Sequence, residues 1–522
     1  MNIDWLLTHS PALLIAIPLL AAFLTPLIDR VSRRARDAFV IAVLIAAEII
    51  MVILAWDVFT VGTHIYTMGA SSTAATIPAH AAVPIRIVLE VDGMGAFMGL
   101  ISATVSLAAG LYSLAFVKKE TGQGRYYTLL LLMLVGMFGM EFTGDIFNMF
   151  VFLEVLSIAS AALIAFRFYH GDAVEGAFKY CVISSLGALM VLFAIGLLYG
   201  QYNLLNIAAL AGVMKYTTLD RIALVMLVAA FAMKCGAVPM HMWTPDSYTV
   251  APAPITAMLV AASQASLYAL FRICFSLYGL TLDVTTMGII IISLGLLSMF
   301  VGVTMALPQK DIKRLMSYHA VSQTGYMLLG VGVGLYLLGK SDFDTYGMAA
   351  MEGGIFHIIN HALYKGLLFL TAGAIFYKVK TRNLNEMGGL AHSMKYTTIF
   401  FMIGALAIAG IPPFNGFASK LLIYESAYHV SPILSIIAML VSIITLASFV
   451  KVFHSAFMGP PMENTEAGEV PKSMIIGMAV LAAGIILFGL FPGWVVSNIV
   501  HPAAQALASQ AGYIGAVTGG GV

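Results

Sequence analysis

Apolar stretches of about twenty residues, the length a helix needs to cross the hydrocarbon core of a bilayer, recur almost from one end of this chain to the other. A soluble domain can bury one such run. It cannot bury a dozen. Of the 522 residues 61% are hydrophobic and 10% charged, where soluble domains carry about 25% charged residues. Lipid is therefore the solvent, and the expected fold is an all-α integral membrane protein, multi-pass in the cell membrane. The net charge of +1 gives no reason to expect nucleic acid or an acidic substrate, since such attraction needs a strong basic surplus.

Hydropathy places about fourteen spans, near 10–28, 38–56, 91–116, 126–142, 145–167, 176–200, 221–240, 251–275, 284–307, 315–338, 347–377, 397–425, 431–457 and 472–496. Residues 57–90, with Gly62, Pro78, Ala81 and Pro84, form a non-spanning insertion with room for short strands. Met1–Ser10 lacks the cationic region of a cleaved signal peptide, so the first span reads as a helix of the mature protein. Cys181, Cys235 and Cys274 lie in apolar stretches without ligand spacing, and neither a disulfide nor a metal is expected of them. The 31 methionines read as apolar filler.

Cytoplasmic loops carry the excess of Lys and Arg. Odd-numbered connections hold eighteen of the 26, and even-numbered ones hold five, namely Arg86, Lys215, Arg221, Arg272 and Lys340. Both termini are expected outside. The remaining three, Lys234, Lys365 and Lys420, fall within spans.

A charge at mid-membrane costs at least ~2.5 kcal/mol on insertion scales, so these positions and Glu154 are the candidates for function. Glu154 lies nine residues after Asp145, ~13 Å along a helix; it reads as a protonatable switch or as a structural carboxyl. Lys234 precedes a break at Gly236 and Pro239, and Lys420 follows one at Pro412, Pro413 and Gly416. Interrupted helices at membrane depth are tolerated chiefly beside protein or water. Two of them, five spans apart, point to inverted repeats, spans 4–8 and 9–13, broken in spans 7 and 12. The corresponding domains are 1–116, 117–280, 281–457 and 458–522. His357, His361 and Lys365 recur every four residues and share one helix face over ~12 Å. Imidazoles both give and accept protons, so this is a proton wire by spacing; a zinc pair would also use His at i and i+4, but only the distant Glu352 accompanies them. Lesser candidates are Asp145, His241 as loop anchor or proton inlet, and His319 with Gln323 as part of a polar path or of an interhelical hydrogen bond.

The stretches around Glu154 and around Lys234 (KCGAVPMHMWTPDSYTVAPAPITAML), DIKRLMSYHAVSQTGYM, HIINHALYKGLLFLTAG and GIPPFNGFASK resemble the antiporter-like subunits of respiratory complex I. The same fold recurs in Mrp-type sodium/proton antiporters and in membrane-bound energy-converting hydrogenases. The resemblance runs from about 90 to 455. It implies fourteen helices, two inverted five-helix repeats, a proton-carrying axis through Glu154, Lys234, His357, His361, Lys365 and Lys420, and other membrane subunits as partners. It also implies a non-redox subunit, within an oxidoreductase, hydrogenase or antiporter complex, that binds no cofactor and no metal. Many members have a lysine where Gln264 stands, four residues before Tyr268 of a Tyr-x-x-x-Arg ending. Gln carries no charge, so the link between half-channels would rest on water or His357. Both H⁺ and Na⁺ are compatible as the transported ion, and a stand-alone secondary transporter is the rival from another class.

Overall fold

The computed structural model describes residues 3–69, 87–460 and 468–518. Helices α1 (Ile3–Val31) and α2 (Arg33–Thr60) lead to a two-stranded antiparallel ribbon, β1 (His64–Thr67) and β2 (Val88–Val91), pairing His64 with Val91. This ribbon occupies the ends of the insertion expected at 57–90, whose residues 70–86 lie outside the described residues. There follow α3 (Gly93–Phe116), α4 (Gln123–Phe142), α5 (Ile146–Ile164), α6 (Gly171–Tyr202), the short α7 (Ile207–Val213), α8 (Thr218–Lys234), α9 (Trp243–Val250) and α10 (Ala253–Arg272). The chain continues through α11 (Val284–Ala306), α12 (Ile312–Leu337), α13 (Met348–Val379), the one-turn α14 (Leu390–Ser393), α15 (Lys395–Ala409), α16 (Asn415–Val430), α17 (Pro432–Ala456) and α18 (Lys472–Leu490). It ends in α19 (Pro492–Val495), α20 (His501–Ala508) and α21 (Gln510–Thr518).

Among the described residues, 12 helices are long and apolar enough to cross a membrane. The chain is thus an integral membrane helical bundle, as its hydropathy requires. The expected spans 221–240 and 397–425 are not among the 12, because each is interrupted. α8 stops at Lys234, turns through Gly236 (φ +77) and resumes as α9. α15 stops at Ala409, turns through Gly410 (φ +79) and resumes as α16. Glycine suits both turns because a Cβ disfavours positive φ. The freed backbone groups find partners inside the protein, as an apolar medium demands: Trp243 Nε1 donates to the Met233 carbonyl at 2.9 Å, and the Val238 amide to Ser298 Oγ at 2.9 Å.

A second feature occurs twice. Asp145 caps α5 by accepting the Asn148 amide, while Ile146 N donates to Leu205 O and Ile207 N to Gly144 O, both at 2.8 Å. Asp311 caps α12 by accepting the amides of Lys313 and Arg314, while Ile312 N donates to Arg382 O (3.0 Å) and Leu384 N to Lys310 O (2.8 Å). Both are two-residue bridges, Asp145 to Asn206 and Asp311 to Asn383.

α10, α12 and α13 are buried on almost every side, whereas α6, α17 and α18 expose apolar side chains such as Leu189, Ile443 and Leu487. The polar residues of the middle helices therefore face protein and not lipid. Three cations counted as loop residues are interior: Arg36 lies in the first turn of α2, Arg272 ends α10, and Lys313 lies in the first turn of α12 with its ammonium on the Ala251 carbonyl. The tail beyond α18 is also more than a terminus, since α20 folds back onto α3 and α13, and α21 onto α7 and the segment Ile273–Tyr278 that follows α10.

Candidate functional site

Lys234 closes α8, so the turn that ends the helix also delivers the ammonium to the interior. It donates to Ser157 Oγ of α5 at 2.7 Å and to Ser184 Oγ of α6 at 2.8 Å, and the two hydroxyls meet at 3.0 Å. Glu154, one turn before Ser157, is half-buried, makes no direct ion pair with Lys234 and leaves Oε1 without a hydrogen-bond partner among the described residues. Beside Lys234 is a cavity of about 20 Å³, also lined by Ser157, Ser184, Ser263 and Ser266. One water needs ~10–15 Å³ of such space and two to four polar partners. The cavity offers both, and it reaches from the lysine to α10.

On the other side of α10, Gln264 donates through Nε2 to the Ile358 carbonyl at 2.9 Å and meets His361 Nδ1 at 2.7 Å. With the carbonyl acting only as acceptor, the amide must present N–H to the ring, which places the neutral imidazole's proton on Nε2. Tyr364 stands edge-on to the His361 ring (centroids 5.7 Å), and its hydroxyl reaches His357 Nε2 at 3.1 Å. His357 also meets Gln323 Oε1 at 3.2 Å and, through Nδ1, Ser419 Oγ at 2.9 Å. Beyond it, Tyr326 has its ring 5.4 Å from that of His357 and 4.8 Å from the Lys420 ammonium. Lys420 donates to the Ile408 carbonyl at 2.8 Å and Ser442 Oγ at 2.9 Å. The Ile408 carbonyl lies in the last turn of α15, so the lysine itself satisfies a backbone group that the broken helix leaves free.

Lys365 takes a side branch. It is buried, donates to the Met316 carbonyl at 2.7 Å and lies 5.7 Å from the Phe449 ring, which His319 also contacts. Both ring nitrogens of His319 are without partners among the described residues. A turn before Met316 is Lys313, which lines an open pocket of about 170 Å³ with Arg167, His170 and Arg382. Asp145 is placed as a helix cap, and His241 is buried in the α8–α9 turn with Nδ1 unpartnered among the described residues. The hydroxyls that join these groups, on Ser157, Ser184, Tyr364, Ser419 and Ser442, carry no signal in the sequence. A Ser or Tyr within an apolar helix has no charge to mark it, and a Ser there most often bonds its own backbone.

The model of a family described as the NADH:quinone oxidoreductase/Mrp antiporter membrane region matches residues 143–445. The chain belongs to this family. It is 30% identical over 515 residues to NADH-quinone oxidoreductase subunit N of Desulforudis audaxviator, covering 94% of this chain and 98% of that one. It is 32% identical over 411 residues to an Na⁺/H⁺ antiporter subunit of Alkalihalophilus pseudofirmus, covering 77% and 80%. In three dimensions it is similar to a chain of the Mrp complex from Dietzia sp. DQ12-45-1b, with TM-score 0.86, 25% identity, and 99% and 100% of the two chains covered. The chain is an antiporter-like membrane subunit, and the family's members are subunits of multisubunit membrane complexes.

Proposed function

We propose that this subunit moves protons along the buried line from Glu154 and Lys234, past Gln264, to His361, His357 and Lys420. The supporting observation is the succession of hydrogen bonds and ring contacts that runs from Gln264 through His361, Tyr364, His357 and Tyr326 to Lys420 in the middle of the bundle. Among the described residues no ionisable member of this line makes a direct ion pair, so each depends on hydroxyls, carbonyls and rings for its contacts. The branch through Lys365 to the pocket at Lys313 serves as the cytoplasmic inlet. The two matching bridges at Asp145 and Asp311, each followed by an interrupted helix, favour two inverted repeats over 117–280 and 281–457, with 1–116 and 458–522 flanking them. The similarity to an Na⁺/H⁺ antiporter subunit keeps a second reading in view, in which Na⁺ is exchanged for H⁺. The partners are other membrane subunits of a complex I-related, hydrogenase-type or Mrp-type assembly.

Purified with its neighbouring subunits and placed in sealed vesicles under an imposed membrane potential or Na⁺ gradient, the wild type is expected to move protons across the membrane, and Lys234→Ala and Glu154→Gln to lose this transport. Full transport by Glu154→Gln would remove the glutamate from the mechanism. Addition of Na⁺ that collapses an imposed pH gradient selects exchange over pumping.

Orientation follows from the loop cations. Single cysteines at Lys118, Lys310 and Lys380 are expected to react with impermeant maleimide only from the cytoplasmic side, with both termini outside. Labelling of these positions from outside would invert the topology.

A further inference from the structure

Away from the line between Lys234 and Lys420, the end of the bundle where α3 begins holds three buried carboxyl groups and one buried cation. Glu90 of β2 is 2% exposed, Asp92 at the α3 cap 3% and Glu141 of α4 0%. The three segments meet closely: a Cβ on Gly95 would lie 2.9 Å from the Glu141 carbonyl, 3.5 Å from Asp92 Oδ1 and 3.8 Å from the Glu90 carbonyl. Arg272 pairs with Asp92 and uses further donors on Tyr268 (2.9 Å) and Ser276 (3.1 Å). Glu141 turns deeper into the bundle, where Ser102 Oγ donates to its Oε1 at 2.6 Å. Among the described residues, Glu141 Oε2 and both carboxylate oxygens of Glu90 meet no hydrogen-bond partner in ordinary geometry.

The charge count decides the state of this group. Arg272 neutralises Asp92, so ionised Glu90 and Glu141 would leave two negative charges in the interior without a cation. Buried carboxylates in that position take up protons. An open vestibule of about 370 Å³ reaches as far as Asp92, two residues from Glu90, between the end of α2 and the folded-back tail, lined also by Thr60, Gln505, Ser509 and Tyr513.

We propose that Glu90 and Glu141 form a proton-binding site separate from the Lys234–Lys420 line, loaded from this vestibule, each carboxylate taking one proton from bulk water while Asp92 stays ionised against Arg272. Burial and the neighbouring Asp92 push the Glu90 carboxyl well above the usual carboxylate range, against the pull of Arg272 and Tyr513. β1 sets Ile65 opposite Glu90, and α3, α10 and α21 supply those charged and titratable neighbours. Around Glu141 stand Ser102 and Tyr268. The folded-back tail completes the site, since α21 covers the cation, with Tyr513 4.9 Å from the Arg272 guanidinium.

Infrared difference spectra of the full-length chain in lipid nanodiscs, recorded between neutral and alkaline pH, test this without any transport assay. The wild type is expected to show two neutral-acid carbonyl bands, one lost in Glu90→Gln and the other in Glu141→Gln, both unchanged in Lys234→Ala. Asp92→Asn removes the repulsion and frees Arg272, so the Glu90 midpoint should fall by roughly 1 to 3 units. Ser102→Ala keeps the acid and removes its donor, so the Glu141 band should move to higher frequency; this reads the site even where Glu141→Gln does not fold. In a Cys181→Ser background, a bulky maleimide on Ser509→Cys should slow deuterium exchange of the Glu90 band. Absence of neutral-acid bands at neutral pH, or a Glu90 midpoint unmoved by Asp92→Asn, overturns the site; unchanged exchange in the labelled protein overturns the vestibule as its access.

Discussion

Lys420→Ala is expected to lower coupled ion transport about a hundredfold, the lower end of what one positioned proton-transfer group supplies, while the subunit still assembles with its neighbours. The ammonium occupies a place made for it, against the Ile408 carbonyl, Ser442 Oγ and the face of Tyr326. Alanine leaves the first two without their donor and removes the final proton carrier from the line. Lys420→Arg separates charge from relay. Guanidinium keeps the positive charge but does not deprotonate in proteins, so this variant should assemble and fail to transport. Proton uptake by vesicles, at subunit content matched on native gels, makes the comparison. If arginine transports as lysine does, residue 420 is a fixed charge and the relay assignment falls.

A single methyl group at Gly416 should be almost as damaging, for a different reason. Gly416 stands in the first turn of α16, where an added Cβ would run into the carbonyl oxygen of Ala407 in α15. Backbone is on both sides of that contact, so one half of the interrupted helix has to move. Overpacking of this kind costs ~1–3 kcal/mol. Lys420 is one turn further along α16, and the displacement carries its ammonium away from Ile408 and Ser442. Gly416→Ala is therefore expected to lower the unfolding temperature and to abolish most transport. Gly171→Ala, where an added Cβ meets nothing within 4 Å, is expected to change neither. Equal transport by the two variants would mean that the close approach of α15 and α16 does not position Lys420.

Much of this molecule is legible in its residues alone. Hydropathy announces spanning helices because lipid leaves backbone groups no solvent, and Lys234, Lys365, Lys420 and Glu154 stand out because charge in an apolar run is rare and costly. The glycines and prolines of GAVP and GIPPFNG mark the two interruptions, since they cannot continue a helix. The four-residue spacing of His357, His361 and Lys365 puts them on one face. Tertiary structure decided how these pieces connect. Lys234 rests on two serines and not directly on Glu154. Gln264, an apparent loss of charge, turns out to orient His361. Arg272, counted with the loop cations although it lies near the end of the expected span 251–275, is buried against Asp92. The tail 491–518, too short in its pieces to announce itself, covers that pair. Position along the chain and residue chemistry determine which segments enter the membrane and which side chains are too costly there to be idle. Which buried groups face one another depends on helix packing, because a hydrogen bond across 97 residues, such as Gln264 to His361, leaves no periodic trace in either helix.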